Sequence, residues 1–351
     1  MQPAPGGPHG YDSDLGSEGV RALDPSTTRV EPRYPRVVLA SVSVPWSADG
    51  SVIEDVFRRQ IQVHLEAGIG HLYIFGTAGE GYAVTERQFD EISRIFVAEM
   101  AGPDAYPMIG LISHSMGTII ERIERSLDLG AHSFQFALPS WGTLNDRELE
   151  TFFQEVLGRF PQASFVHYNL QRSGRLLDPS HYARLSADYP NLVGSKNGTS
   201  NIVLIHDLIT KAPALRYFLT ELGYPQGCQA GEPGLLMSLT TLNPALGRRF
   251  FEAGVSGDIA TLTRIQAEAL DVFAELVGGS GAEVGTNAFP GSAPHMDGAY
   301  EKMLSRVHDE RLPLRLLPPY QAVSDEVYED FVRRLAAKLP GWLPEGHPGH
   351  R

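Results

Sequence analysis

The chain has very little cysteine and very little lysine. One cysteine, Cys228, stands among 351 residues. That excludes an intrachain disulfide and the usual cysteine-rich zinc sites, and it fits a reducing cytosol. With no His or Asn motif beside it, Cys228 reads as a small apolar residue rather than a nucleophile. No apolar run approaches the length of a bilayer span, and the start lacks the basic-then-apolar order of a signal peptide. A cytoplasmic protein with no membrane partner is expected. The net charge of −13 argues against a nucleic-acid partner. HExxH, Cys/His metal spacing, a clustered acidic triad and a Gly-x-Ser-x-Gly elbow are all missing, so no metal and no cofactor is implied.

Lysine is the more instructive shortage, with four lysines against twenty-five arginines. A chain with this bias uses Arg for plain surface charge, so each Lys invites a reason. Lys196 ends the short apolar run Asn191-Leu-Val-Gly-Ser-Lys196. Taken alone, it reads as a strand's exit into solvent. The alternative is chemistry that guanidinium cannot perform, because a desolvated amine loses its proton and attacks a carbonyl. A free lysine has a pKa of about 10.4; bringing it near 7 takes roughly 4 kcal/mol, which burial can supply. Gly194, on the same face, is expected to leave room for a ligand.

Hydrophobic content of 42% with 20% charged residues supports a large core. Residues 1–34 read as a flexible tail. From there, apolar runs alternate with amphipathic ones. Strands are expected at 37–44, 71–75, 106–112, 133–138, 164–168, 192–196, 215–219 and 234–239. Helices are expected near 51–68, 85–100, 116–129, 146–159, 179–188 and 201–211. Thr85 with Gln88 and Asp178-Pro179 supply helix-start signals. Past Pro244 the pattern is helical, near 244–255, 258–278, 296–307 and 325–338, with a Gly/Ser/Pro-rich loop over 278–294. Eight strands alternating with helices predict an α/β fold, a (β/α)8 TIM barrel over 35–257, with a C-terminal helical extension over 258–345.

In such a barrel, reactive groups stand at the C-terminal ends of strands. Lys196 ends the sixth strand, Tyr168 the fifth, and Gly76-Thr-Ala-Gly-Glu80 follows the second, so all three fall on one rim. Tyr168 shares a strand face with Ser164 and Val166. Its phenol is either an acid/base or a hydrogen-bonded core hydroxyl. His167, on the other face, reads as a packing or capping residue. The loop offers the backbone N–H groups around Gly76, Ala78 and Gly79 and the Thr77 hydroxyl to a carboxylate, although a plain loop is its default reading. Glu80 reads as a structural carboxylate bonded to nearby backbone. Ser113-His114-Ser115, Asn197-Gly198-Thr199, Ser238 and Thr240 are further rim candidates, with capping by Ser115 the plainer account of the first group.

Val44-Pro-Trp46 with Asp49-Gly50, Gly76-Thr-Ala-Gly-Glu80, Tyr168-Asn169 and Gly194-Ser-Lys196 occur together in an order and spacing that resembles the dihydrodipicolinate synthase / N-acetylneuraminate lyase family. The resemblance runs from about Val37 to Leu335. It implies a class I aldolase-type barrel, usually a homotetramer, acting on pyruvate or a related 2-oxo acid with an aldehyde or related acceptor. It further implies Lys196 as the Schiff-base lysine, Tyr168 as the proton shuttle, Thr77 in the proton relay, and the Ala78–Gly79 backbone as the carboxylate cradle.

The chain departs from the pattern in three places. Ala78 stands where many members have a second hydroxyl. Pro139-Ser140-Trp141 replaces a Pro-Tyr-Tyr and is similar to the hydratase-aldolases, whereas Tyr168-Asn-Leu-Gln-Arg-Ser-Gly174 is closer to the synthase pattern, shortened by one residue. The Ala78 and Trp141 changes together make lysine-pathway synthesis the less expected activity. Ser140 and Trp141 are substrate candidates, Trp141 equally a subunit contact. Arg172 is either a receptor for a second carboxylate or a surface Arg. The expected function is a Schiff-base lyase or aldolase that makes or cleaves a C–C bond beside a 2-oxo acid. The alternatives are a 2-oxo-3-deoxy acid dehydratase or hydratase using the same lysine, and a non-catalytic relative that only binds a 2-oxo acid.

Overall fold

A computed structural model of the chain describes residues 30–278 and 295–347. Most of the expected tail and the loop expected over 278–294 lie outside the described residues. Eight parallel strands run in sequence order around one sheet. They are β1 (Leu39–Ser41), β2 (His71–Ile74), β3 (Tyr106–Gly110), β4 (Ser133–Phe136), β5 (Ser164–Asn169), β6 (Leu192–Asn197), β7 (Arg216–Leu219) and β8 (Gly234–Leu235). A parallel bridge from Val38 to Leu235 closes the ring, so the fold is a (β/α)8 barrel.

The connecting helices are α1 (Glu54–Glu66), α2 (Glu86–Glu99), α3 (Met116–Asp128), α4 (Asp146–Phe153), α5 (Pro179–Asp188), α6 (Ile202–Lys211), α7 (Tyr224–Ala230) and α8 (Pro244–Ser256). Three more, α9 (Ile259–Gly278), α10 (Asp297–Arg306) and α11 (Asp325–Lys338), form the C-terminal extension. Among the described residues, no helix is long and apolar enough to cross a membrane.

Local signals explain most of these boundaries. Thr85 and Gln88 form a reciprocal capping box at α2, and Asp178 caps α5 ahead of Pro179, as their spacing predicts. Three elements differ from expectation. The eighth strand, expected over 234–239, is only Gly234–Leu235, followed by a 3-10 turn at Ser238–Thr240. The first strand, expected over 37–44, pairs with β2 only across Leu39–Ser41. α7 was not expected at all. Its seven residues include Pro225 and Gly227, which weaken any helical signal. It forms because Tyr224 is buried and anchored, its hydroxyl donating to the Phe251 carbonyl at 2.8 Å.

Two apolar layers result. Between sheet and helices lies the main core, to which Phe57, Phe89, Phe134, Phe153, Tyr182 and Phe250 contribute. Inside the ring, Leu39, Tyr73, Met108, Val166, Phe218 and Leu236 form a second cluster with Tyr34. Tyr34 donates or accepts a 2.9 Å bond with His71 Nδ1 at the start of β2, so it closes the N-terminal end. The opposite rim is where polar groups gather.

Candidate active site

Register alone brings the two sequence-singled residues together. In the β5–β6 ladder, Tyr168 is the direct partner of Lys196, and side chains in register on one face of neighbouring strands lie side by side. Lys196 is 7% exposed, and its Nζ sits 3.8 Å from the centre of the Tyr168 ring. The Tyr168 hydroxyl reaches the Thr77 hydroxyl at 3.4 Å, so Lys196, Tyr168 and the glycine loop form one cluster.

A third residue completes it, one that sequence reasoning missed. Tyr73, on β2, is 3% exposed, and Lys196 Nζ donates to its hydroxyl at 3.0 Å. Tyr73 lies one inward position before the loop, on the face that fills the barrel. That placement was the available signal, but an aromatic in a barrel strand is ordinarily core.

The glycines of Gly76-Thr-Ala-Gly-Glu80 are there for space rather than for left-handed torsion. The positive φ angles in this segment belong to Phe75 and Glu80. A Cβ on Gly76 would stand 2.6 Å from Tyr73 Cε2, and one on Gly79 would stand 2.7 Å from the Phe75 nitrogen. Gly76 therefore makes way for the Tyr73 ring, and Gly79 for the loop's own backbone. The N–H groups of Ala78 and Gly79 donate to no backbone carbonyl among the described residues. Thr77, Ala78 and Gly79 are all buried. Gly194 does not leave open room: the Arg216 carbonyl and the Phe218 ring already occupy the space above it.

Glu80 is a structural carboxylate, fully buried, but its partners come mainly from afar. It accepts from Trp46 Nε1 at 2.8 Å and from the Leu317 N–H at 2.7 Å, and it pairs with buried Lys302 of α10 at 2.6 Å. This pins the C-terminal extension to the loop. Ser305 at the far end of α10 donates to Ser43 beyond β1 at 3.1 Å. The helix thus lies over the rim at β1 and β2. It also brings Glu301, 4% exposed, into the field of Lys196, with hydrogen bonds to Ser238 and Thr241.

Electrostatics at the amine are more complex than burial alone. Desolvation pulls the Lys196 pKa down. The charges of Tyr168 and Tyr73 and the Tyr73 hydrogen bond push it up, and the net direction is up. This corrects the expectation that desolvation simply brings the amine near neutrality. Burial holds the Tyr73 phenol above its ordinary range, so its Coulombic push belongs to alkaline solution. The Asp297 carboxylate adds a smaller upward push, and Lys196 in turn favours the carboxylate form of Glu301, which burial pushes up to about 7.

Other candidates stand apart from this cluster. Trp141 is 89% exposed, edge-on to His114, and Ser140 shares a 3.1 Å hydrogen bond with His114 Nδ1. Arg172 is neither a free receptor nor a plain surface residue. Its fork holds the chain's own Asp297 through two bonds of 3.0 and 2.9 Å. Ser238 reaches the cluster through Glu301. His167 is buried behind the strand, bonded to Tyr182 at 2.8 Å, and burial lowers its pKa to about 3, which suits a packing residue. Ser115 caps α3. A hollow of about 680 Å³ between α4 and α5, lined by Arg147, Glu150, Arg184 and Asp188 among others, shares no residue with the cluster.

The sequence matches the dihydrodipicolinate synthetase family over residues 35–283. The 4-hydroxy-tetrahydrodipicolinate synthase of Methanopyrus kandleri is 25% identical over 315 residues, 88% of this chain and 97% of that relative. The synthase of Nitratidesulfovibrio vulgaris is 26% identical over 228 residues, 63% of this chain and 76% of that relative. Among solved structures, YagE, a prophage protein of the dihydrodipicolinic acid synthase family from E. coli K12 in complex with pyruvate, superposes with a TM-score of 0.75. It is 16% identical, covering 86% of this chain and 98% of that one. CdNal from Clostridium difficile, in complex with mannosamine, gives a TM-score of 0.73 at 14% identity, covering 85% of this chain and 97% of that one. At these identities the structural likeness speaks for the fold.

Proposed function

Because the chain belongs to the dihydrodipicolinate synthetase family, we propose that it is a Schiff-base-forming lyase or aldolase that makes or cleaves a C–C bond beside pyruvate or a related 2-oxo acid. One observation carries this reading. The amine of Lys196 is buried at the C-terminal rim against two phenols, 3.0 Å from one hydroxyl and 3.8 Å from the other ring. A lysine whose only task was to leave the strand would keep its ammonium in water.

The chemistry follows from those positions. The keto acid's carboxylate meets the Ala78 and Gly79 N–H groups and the Thr77 hydroxyl, which presents C2 to Lys196. The amine lone pair forms the C–N bond as the carbonyl π pair moves to oxygen. Loss of that oxygen as water leaves the iminium, an electron sink for the adjacent carbon. Tyr168, linked to Thr77, moves the proton to or from the acceptor's oxygen as the C–C bond forms or breaks.

On the acceptor side, Arg172 is already satisfied by Asp297. A second carboxylate must displace that pair, which favours a less acidic acceptor. Trp141, the largest exposed apolar side chain on this rim, suits a contact between copies better than a site wall, in keeping with a homotetramer. A single free cysteine fits a cytoplasmic setting.

The test is borohydride reduction in the presence of pyruvate. The reading expects a mass gain confined to Lys196, lost in Lys196→Ala. Undiminished turnover by that variant would remove the reading. A panel of aldehydes supplied with pyruvate then identifies the acceptor by the adduct formed.

A further inference from the structure

Imine formation raises a proton problem that Tyr168 is poorly placed to solve alone. Its hydroxyl is directed to Thr77 and the carboxylate loop, whereas among the described residues the one hydroxyl bonded to the amine is that of Tyr73. The Tyr73 ring is wedged against Gly76, where even one added carbon would collide with it, so the hydroxyl is held at the nitrogen by packing.

Glu301 stands near the same amine. Its partner carboxylate in the rim, Glu80, has both oxygens engaged. Glu301 does not, since its Oε2 is fully buried and has no hydrogen-bond partner among the described residues. A buried carboxylate oxygen left unpaired costs stability, and its place within the field of an amine that must shed a proton supplies a reason for keeping it. Tyr73 feels the charge of both Lys196 and Glu301, so the three groups lie within one another's electrostatic reach.

We propose that Tyr73 and Glu301 are the acid–base pair that serves the nitrogen of Lys196, leaving Tyr168 to serve the substrate's carbon skeleton. This rests on the Schiff-base reading above and deepens it. The Lys196 ammonium gives a proton to the Tyr73 oxygen as the Tyr73 hydroxyl proton passes, through one bridging water, to the Glu301 carboxylate, so the phenol is unchanged. The free amine adds to C2 of the keto acid, and a proton moves from nitrogen to the new hydroxyl to complete the carbinolamine. Glu301 then returns its proton to that hydroxyl. The C–O bond breaks, water leaves, and the nitrogen lone pair forms the C=N bond. The sum is ammonium plus ketone giving iminium plus water, with Glu301 restored as carboxylate.

The charged and titratable groups facing Glu301 suit this cycle. Lys196 on β6 and the Ser238 and Thr241 hydroxyls favour its carboxylate form, while burial and Asp297 on its own helix favour the acid. Glu221, beyond β7, and Tyr73, on β2, also feel its charge. Lys302, its helix neighbour, is committed to Glu80. The balance leaves Glu301 titrating at about 7, able to take and return a proton near neutrality.

The experiment is rapid mixing of the full chain with pyruvate, followed by borohydride quench and mass measurement of Lys196, between pH 5 and 9. Wild type is expected to label at a rate that rises with pH through about 7. Tyr73→Phe, which keeps the ring, is expected to slow labelling by about 100-fold. Glu301→Gln is expected to slow it by about 10-fold or more and to lose the rise near pH 7. A merely structural role would leave the pH profile intact. Wild type that never labels overturns the Schiff-base reading itself. Wild type that labels, with both variants keeping its rate and pH profile, overturns the assignment of Tyr73 and Glu301 alone. Should Glu301→Gln fail to fold, Tyr73→Phe at wild-type rate suffices to overturn it.

Discussion

Two of the four lysines are buried on the same rim, and they lead opposite lives. Lys302 meets a carboxylate at 2.6 Å with both side chains wholly out of water, and its ammonium also donates to the Arg315 carbonyl. Burial lowers its pKa to about 8 against the pull of Glu80, so it remains charged at neutrality and acts as a pin. Lys196 has no bonded carboxylate; its neighbours are two phenols and, farther off, Asp297 and Glu301. An ammonium satisfied by an anion is a structural fixture. One held by a phenol hydroxyl and a ring face can give up its proton. What separates structure from chemistry here is the partner, not the residue type.

The widest separation is expected from removing each amine. Lys196→Met should reduce pyruvate labelling and turnover to background, with unfolding free energy in denaturant within about 1 kcal/mol of wild type. Tyr168→Phe should lower kcat by about 10²–10⁴-fold while Lys196 still labels with pyruvate under borohydride; a kcat near wild type would remove Tyr168 from the chemistry. Lys302→Met should behave in the opposite sense. It leaves the Glu80 charge buried and alone, at a cost of about 3–5 kcal/mol in denaturant unfolding. The double variant Glu80→Gln with Lys302→Met should recover much of that loss. Were the two lysine variants equally unstable, the contrast between pin and reagent would fail.

A subtler effect comes from Glu221, whose pKa burial raises from 4.5 to about 7. The folded state then binds more protons than the unfolded chain between these values, so this group's contribution to stability falls as pH rises from about 4.5 through about 7. Glu221→Gln removes that slope. Its stability relative to wild type should therefore climb across the window by up to about 3 kcal/mol, read from denaturation series at several pH values. The smallest change is expected at the half-buried Arg172–Asp297 pair. Asp297→Asn should shift stability by about 1 kcal/mol or less and lower KM for a carboxylate-bearing acceptor by freeing the Arg172 fork.

The barrel was legible because its information is local. Alternation of short β-branched runs with capped amphipathic helices sets element type and order, and the ends of the strands follow to within a few residues. Lys196, Tyr168 and Thr77 were legible for the same reason: each sits at a strand end, where a period of two tells which face it shares. α7 was not, since Pro225 and Gly227 conceal a helix that tertiary contacts impose. Arg172 was read without its partner because Asp297 lies 125 residues away. Glu301 and Lys302 sit in a segment whose charges suggest a solvated face, yet α10 is buried from Gly298 to Ser305.

By itself, the sequence determined the order of strands and helices, the rim on which the unusual residues would stand, and the amine most suited to attack a carbonyl. Tertiary structure alone decided which groups surround that amine. Ring closure brings β2 across to β6, and docking of α10 over the rim brings in Glu301 while Glu80 secures Lys302. A proton's route depends on distances between side chains far apart in the chain, and those distances exist only once the barrel has closed and the last helices have packed against it.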